Sequence, residues 1–158
     1  MLPLNKISRL KLLEIIGRIN FFKGFTIEQR ELLLQKSKVY NCKPNQFVQS
    51  ELDHNSHFYI VLSGEVEILK QGGTQALGVI KAGQFIGEGS FIKKRPKSAT
   101  ARALNEVIVL CMDQDTLHGL PVVLKDKFKD AVIEGMAERI VYLSGQIQDF
   151  HSKYSPQL

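Results

Sequence analysis

Cysteine is scarce in this 158-residue chain, and the positions of its two cysteines argue against cysteine chemistry. Cys42 and Cys111 lie in stretches typical of β-strands, without the spacing of a metal site. We therefore predict two small buried hydrophobic residues and no disulfide. Long apolar runs are also absent, and charged residues interrupt the apolar ones over residues 1–20. Neither a membrane span nor a secretory signal is indicated, and a cytoplasmic location is the expectation.

Candidate catalytic and metal-binding groups are equally few. The histidines are His54, His57, His118 and His151. Only the first two are close together, and they have no acidic partner at a metal-ligand spacing. No serine, cysteine or carboxylate pair suggests a catalytic centre. We predict no metal, no cofactor and no enzymatic activity.

The composition is that of an ordinary folded protein, with 44% hydrophobic and 23% charged residues. No long linker and no internal repeat is present, so we expect one domain over residues 1–158. The formal charge of +5 is concentrated in one loop, where Lys93, Lys94, Arg95 and Lys97 surround a proline. Such an excess suits an anionic ligand, nucleic acid or a membrane surface, and it is also typical of a solvated turn.

The patterns predict helices over residues 1–37, a β-region over 38–112 and helices again over 113–154. Thr26 and Gln29 form a capping-box pattern before a helix, and Asp113 is placed to cap another. In the middle region, short runs rich in branched and aromatic residues alternate with turn signals such as Gly72-Gly73. This texture favours a small antiparallel barrel or sandwich, with a strand pair between Phe58 and Leu69.

A long helix is predicted to follow Pro121 and to continue to about Tyr154. Its apolar residues recur every three or four positions, at Met136, Ile140, Leu143, Ile147 and Phe150. This spacing fits the core-facing stripe of a terminal helix, and it equally fits a dimer seam.

Residues 85–103 are the most informative segment of the chain. They comprise the end of a strand, Gly87-Glu88-Gly89, a short apolar turn, the basic loop and a new strand. A glycine that leads into a helical turn exposes backbone N–H groups suited to a phosphate. Glu88 could accept hydrogen bonds from a sugar hydroxyl, and Lys97 could neutralise the phosphate.

The order Gly87, Glu88, Pro96, Ala99, Thr100, Arg102 and Ala103 resembles the phosphate-binding cassette of cyclic nucleotide-binding domains, in register and without a gap. Upstream residues 58–66 and downstream residues 107–113 also resemble this catabolite-activator-protein-like family. The resemblance implies a mainly β fold with flanking helices: an eight-stranded, jelly-roll-like antiparallel β-barrel with N-terminal helices and C-terminal hinge and lid helices.

The resemblance implies roles for five residues. Glu88 takes the position that binds the ribose 2′-hydroxyl, and Gly87 and Gly89 offer nearby N–H groups. Lys97 stands where the family has an arginine, and a lysine is a point charge where arginine is a two-pronged donor. Ser98 follows at a position where a hydroxyl touches the phosphate or favours guanine in some members.

A second departure concerns a turn near the start of the β-region. Leu52 replaces a family glycine, and it would be strained if the turn needs a positive φ. We therefore expect the local loop to have changed shape.

The leading hypothesis is a sensor or regulatory domain that binds cAMP or cGMP and signals through its C-terminal helix to a separate protein partner. The alternative is a degenerate cyclic nucleotide-binding fold that no longer binds nucleotide and acts as a dimerisation or protein-interaction module. The chain ends soon after the long helix. Neither a DNA-binding helix-turn-helix nor direct contact with nucleic acid or membrane is therefore expected.

Overall fold

The computed structural model describes residues 1–70, 75–93 and 95–154, except for the side chain of Ser90. The predicted Gly72-Gly73 turn, Lys94 of the basic loop and residues 155–158 lie outside these ranges.

Helices precede and follow the strands, as the sequence predicts. The helical segments are α1 (Arg9–Gly17), a 3-10 helix (Asn20–Phe22), α2 (Ile27–Lys36), α3 (Glu88–Ile92), α4 (Gln114–His118) and α5 (Val122–Tyr154). Both predicted caps are confirmed. The Thr26 hydroxyl and the Gln29 side chain each accept from the other residue's N–H, at 3.2 and 3.0 Å, and the Asp113 carboxylate accepts from the Thr116 N–H at 2.7 Å.

Two antiparallel sheets form the centre of the protein. The strands are β1 (Leu2–Pro3), β2 (Lys38–Cys42), β3 (Phe47–Gln49), β4 (Phe58–Ser63), β5 (Glu65–Lys70), β6 (Gln75–Lys81), β7 (Phe85–Ile86), β8 (Thr100–Ala103) and β9 (Val107–Met112). One sheet has the order β1-β2-β9-β4-β7, and the other has the order β3-β8-β5-β6. The fold is therefore mixed, with two antiparallel sheets and flanking helices.

The expected closed barrel of eight strands is not confirmed, because the described residues form nine strands that pair as two sheets. The N-terminal region is not entirely helical either. β1 pairs with β2, with Leu2 opposite Asn41. A strand of two residues is too short to show the alternation of apolar and polar residues by which strands are predicted.

The two strands predicted between Phe58 and Leu69 and the bend at Gly64 are confirmed, but the strands do not pair with each other. β4 pairs with β7 and β9, whereas β5 pairs with β6 and β8. Gly64 carries the chain from one sheet to the other with φ 88°. A Cβ at that position would collide with the Glu106 carbonyl oxygen, so only glycine fits this crossing.

The core consists of two clusters. The larger one joins the helices to the first sheet and contains seven phenylalanine rings linked by ring contacts: Phe21, Phe22, Phe25, Phe58, Phe85, Phe91 and Phe128. The smaller one lies between the sheets and includes both cysteines. Their prediction as free, buried residues is confirmed. Burial raises the pKa of the Cys111 thiol to about 12, so this thiol is unreactive at neutral pH.

Helix α5 leaves the core part-way along its length. Leu124, Phe128 and Val132 are buried, and Met136 packs on the edge of the larger cluster. Beyond it, the apolar residues Ile140, Leu143, Ile147 and Phe150 are 44–63% exposed. The interpretation of this stripe as core-facing is therefore wrong for these four residues.

The Leu52 turn is not strained. Asn45 is the one non-glycine residue with a positive φ among those that the structure describes. Leu52 is exposed, so the loop accommodates it without a left-handed backbone. No helix within the described ranges combines the length and apolarity needed to cross a membrane.

Candidate functional site at the phosphate-binding cassette

The cassette connects β7 to β8. Strand β7 ends at Ile86, Gly87 turns the chain with φ 87° and ψ 13°, and α3 begins at Glu88. This left-handed backbone conformation is unfavourable for any residue that has a Cβ. The chain then returns through the basic loop to Thr100. Glu88 and Gly89 therefore lie in the first turn of α3.

Three polar groups from separate segments converge on Gly87. A Cβ built on this glycine would lie 2.6 Å from the His57 carbonyl oxygen, 2.9 Å from Gln49 Oε1 and 3.1 Å from Lys97 Nζ. The distances to His57 and Gln49 are shorter than a carbon atom tolerates, and the contact with Lys97 would be tight. The glycine is therefore required by its backbone angle and by its neighbours.

Lys97 is directed into the cassette. The residue is only 6% exposed, and its ammonium donates to the His57 carbonyl oxygen at 2.6 Å. Burial lowers the pKa of Lys97, and the carboxylates of Asp53 and Glu88 partly oppose this effect. Burial and the neighbouring Lys97 cation also lower the pKa of His57. A cation thus lies beside Gly87, where the sequence predicts one.

Arg95 supplies a second cation on the other side of the turn. A Cβ on Gly89 would lie 2.6 Å from a guanidinium nitrogen of Arg95. Pro96 therefore does not turn Arg95 away from α3. Two positively charged groups lie next to the two glycines that flank Glu88.

Glu88 is held by the C-terminal helix. Arg139 of α5 donates to Glu88 Oε1 at 3.0 Å and to the Phe85 carbonyl oxygen at 2.7 Å. Its guanidinium carbon also lies 5.4 Å from the centre of the Phe85 ring. One turn earlier, Gly135 packs so closely on that ring that a Cβ would collide with it. The cassette and α5 are therefore in direct contact.

Of the predicted site residues, Gly87, Glu88, Gly89 and Lys97 come together, and Ser98 is exposed to solvent. Sequence reasoning missed two members of the arrangement. Arg139 is 51 residues from Glu88, so no local pattern connects them. Gln49 is 4% exposed, although a glutamine in a short strand normally suggests a solvent-facing position.

A cleft of about 1270 Å³ adjoins the cassette. β6 forms one wall, with Leu77 and Val79, and α5 forms the other, with Tyr142 and Leu143. Arg139 and Phe85 lie at the border between the cleft and the cassette. Within the residues described, no cluster of three or more histidine, cysteine or acidic side chains could hold a metal ion.

Comparison with known proteins identifies the family. The model of the family described as cyclic nucleotide-binding domain matches residues 40–120, which include the cassette and strands β3 to β9. The chain belongs to the cyclic nucleotide-binding domain family.

Individual relatives agree with this assignment. The chain is 24% identical to a cGMP-dependent protein kinase of Toxoplasma gondii, and the match covers 82% of this chain and 13% of the kinase. It is 28% identical to a cAMP-dependent protein kinase regulatory subunit of Yarrowia lipolytica, over 56% of the chain and 24% of the subunit. The chain therefore spans less than a quarter of either protein.

A solved structure supports the fold. A cyclic nucleotide-binding domain from Methylobacillus flagellatus superimposes with a TM-score of 0.77 at 24% identity, covering 94% of this chain and 85% of that one. At this identity the structural likeness concerns the fold alone.

Proposed function

We propose that this protein is a non-catalytic regulatory domain that binds a cyclic nucleotide, cAMP or cGMP, in the cytoplasm. The observation that supports the proposal best is the convergence of Lys97 and Glu88 on the turn that Gly87 makes possible. Lys97 would neutralise the cyclic phosphate, and Gly87 and Gly89 would let the backbone approach it. Glu88 would accept a hydrogen bond from the ribose 2′-hydroxyl. Ser98 would lie beside the phosphate.

The C-terminal helix would report the bound state. A ribose that approaches Glu88 meets a carboxylate already paired with Arg139, so the ligand and α5 share one group. A ligand that changes this ion pair changes the free energy with which α5 is held on the cassette. A separate protein partner would then read the position of α5.

The purine would extend from the cassette into the neighbouring cleft. Leu77 and Val79 offer apolar side chains that are about half exposed, and Tyr142 faces them from α5. Charged residues such as Lys81, Glu138 and Arg139 also line the cleft, so it offers apolar surface for the purine ring and polar groups for its edge.

The proposal predicts saturable binding of cAMP or cGMP in calorimetric titration of the purified protein. Glu88→Ala and Lys97→Ala should each weaken binding at least tenfold, because each removes a charged hydrogen-bonding group from the site. Hydrogen exchange of α5 amides, measured with and without nucleotide, should change on binding.

Two further variants complete this experiment. Lys36→Ala, at the exposed last turn of α2, is the matched control and should bind as the parent does. Arg139→Ala should bind nucleotide but lose the change in α5 exchange. Absence of heat and of thermal stabilisation at millimolar nucleotide would contradict the proposal.

A second function, self-association through α5, is favoured by a different observation. The apolar stripe of α5 runs from Ile133 to Tyr154, with successive members three or four positions apart, and its members are exposed except for Met136, which packs on the larger core cluster. This is an a/d repeat of about three heptads. We propose a second copy of the chain as the occupant, since a parallel pairing of identical helices matches a with a and d with d.

The charge pattern permits that parallel pairing. The residues flanking the seam include Arg139, Gln146 and Lys153 on one side and Ala137, Ser144 and His151 on the other. Facing residues across a parallel dimer would then be Arg139 with Ser144 and Gln146 with His151, without an acidic or basic like-charge clash at neutral pH.

Light scattering of the purified protein is expected to give the mass of a dimer. Ile147→Glu should convert it to a monomer, because two buried carboxylates would face each other in the seam. Val141→Glu places the same charge on the exposed helix outside the seam and should leave the dimer intact. A monomeric parent protein would refute self-association and would leave nucleotide binding untouched.

A further inference from the structure

Gln49 presents an unusual polar group to the inside of the cassette. The residue is buried, with only 4% of its surface exposed. Its Nε2 donates to the Ala99 carbonyl oxygen at 2.9 Å. This bond fixes the orientation of the amide, so Oε1 points to the opposite side, towards Gly87.

No hydrogen-bond donor within the described residues reaches Gln49 Oε1. A buried acceptor without a donor normally costs free energy. Such an atom is retained at little cost when it stabilises a nearby positive charge. The Lys97 ammonium is such a charge. Gln49 Oε1 and Lys97 Nζ lie 2.9 and 3.1 Å from the position that a Cβ on Gly87 would take.

We propose that Gln49 is a positioning residue of the cassette: its Oε1 stabilises the Lys97 ammonium through space, while the His57 carbonyl oxygen accepts the ammonium's hydrogen bond. We call these two oxygens the seat of Lys97. The seat would let a lysine serve where the family has an arginine, because a compact ammonium fits beside one hydrogen-bonding oxygen and near a second, whereas a planar guanidinium needs a wider, bidentate arrangement. Gln49 and Lys97 are thus a matched pair.

The inference deepens the proposed nucleotide site and rests on it for its biological meaning, but its first test needs no ligand. Several charged or titratable groups face Lys97: His57 and Asp53 from the segment before β4, Glu88 from α3 and Cys111 from β9. If a substitution at Gln49 leaves these groups in place and still shifts the pKa of Lys97, the shift comes from the loss of the Gln49 side chain.

Two substitutions separate the seat from a purely structural role. Gln49→Glu retains an acceptor at the Oε1 position, adds negative charge and loses the donor to Ala99. Gln49→Met has a similar shape and loses both the acceptor and the donor. The added carboxylate of Gln49→Glu raises the pKa of Lys97 under either role, so it serves to show that position 49 is close enough to act on Lys97. If Gln49 serves only to hold Ala99, Gln49→Met should leave the pKa of Lys97 unchanged.

The measurement is the titration of the Lys97 side chain by ¹³C NMR in lysine-labelled protein, with its resonance identified by its absence in Lys97→Met. The seat predicts opposite shifts: the apparent pKa of Lys97 rises in Gln49→Glu and falls in Gln49→Met. Gln46→Glu, which adds the same charge at an exposed position three residues away, should leave it unchanged. If Gln49→Met does not fold, Gln49→Asn, whose shorter side chain withdraws the acceptor, should lower the pKa in the same way.

A Lys97 pKa that does not fall in folded Gln49→Met or Gln49→Asn, or that does not rise in Gln49→Glu, would overturn the seat. Titration with cAMP and cGMP then provides the second arm, in which Gln49→Met should lower affinity about tenfold, with the loss growing as pH rises and Lys97 loses its proton. Opposite NMR shifts without any nucleotide binding by the parent protein would support the seat and refute the proposed ligand, so the two failures are distinguishable.

Discussion

Replacing Gly87 with alanine is expected to lower the free energy of unfolding by about 2–4 kcal/mol and to abolish nucleotide binding. The backbone angle of φ 87° is unfavourable for any residue with a Cβ. The new carbon would also lie 2.6 Å from the His57 carbonyl oxygen, a main-chain atom that cannot swing aside. Urea denaturation, followed by circular dichroism, measures the first effect, and calorimetry measures the second.

Gly24→Ala is the matched control for this experiment. Nothing lies within 4 Å of a Cβ at Gly24, and its φ is not positive. Its free energy of unfolding should therefore stay within about 0.5 kcal/mol of the parent value. Equal stability of Gly87→Ala and Gly24→Ala would mean that the cassette turn can relax, and the argument from the three converging polar groups would be lost.

Local rules made much of the fold predictable. The caps at Thr26 and Asp113 are confirmed because a side chain that bonds an N–H three residues ahead needs no information from elsewhere in the chain. The burial of Cys42 and Cys111 followed from their place in strand-like stretches. The turn at Gly87 was also predictable, since a glycine between the end of a strand and a short helical turn lets the chain change direction.

Features that depend on long-range packing were not predictable in the same way. Val66 and Ile68 alternate with glutamates as in a strand, but periodicity does not say which sheet a strand joins. The pairing of Arg139 with Glu88 arises because α5 folds back over β7, and a single sequence contains no signal of that approach. The choice between a core stripe and an exposed seam required knowing where α5 leaves the larger core cluster.

Phe128 connects the two halves of the proposed signalling unit. Its ring lies 5.9 Å from that of Phe91 in α3, 5.6 Å from Phe58 in β4 and 5.3 Å from Phe21 in the 3-10 helix. The side chain is fully buried. The first half of α5 is therefore fixed to the cassette helix by a shared aromatic core, and Arg139 adds a polar contact three turns further along.

Phe128→Ala is expected to lower the free energy of unfolding by about 3–5 kcal/mol, because it removes a buried ring and leaves a cavity among the remaining phenylalanines. Phe47→Ala, at a ring about half exposed on β3, is the control of the same residue type and should cost about 1 kcal/mol or less. Denaturant unfolding checks both values.

Hydrogen exchange of folded Phe128→Ala tests the connection between the cassette helix and α5. Faster exchange in α3 as well as in α5 is expected if one core holds both helices. Faster exchange in α5 alone would mean that the cassette keeps its structure without the helix, and that Arg139 is then the main route by which a ligand at Glu88 reaches α5.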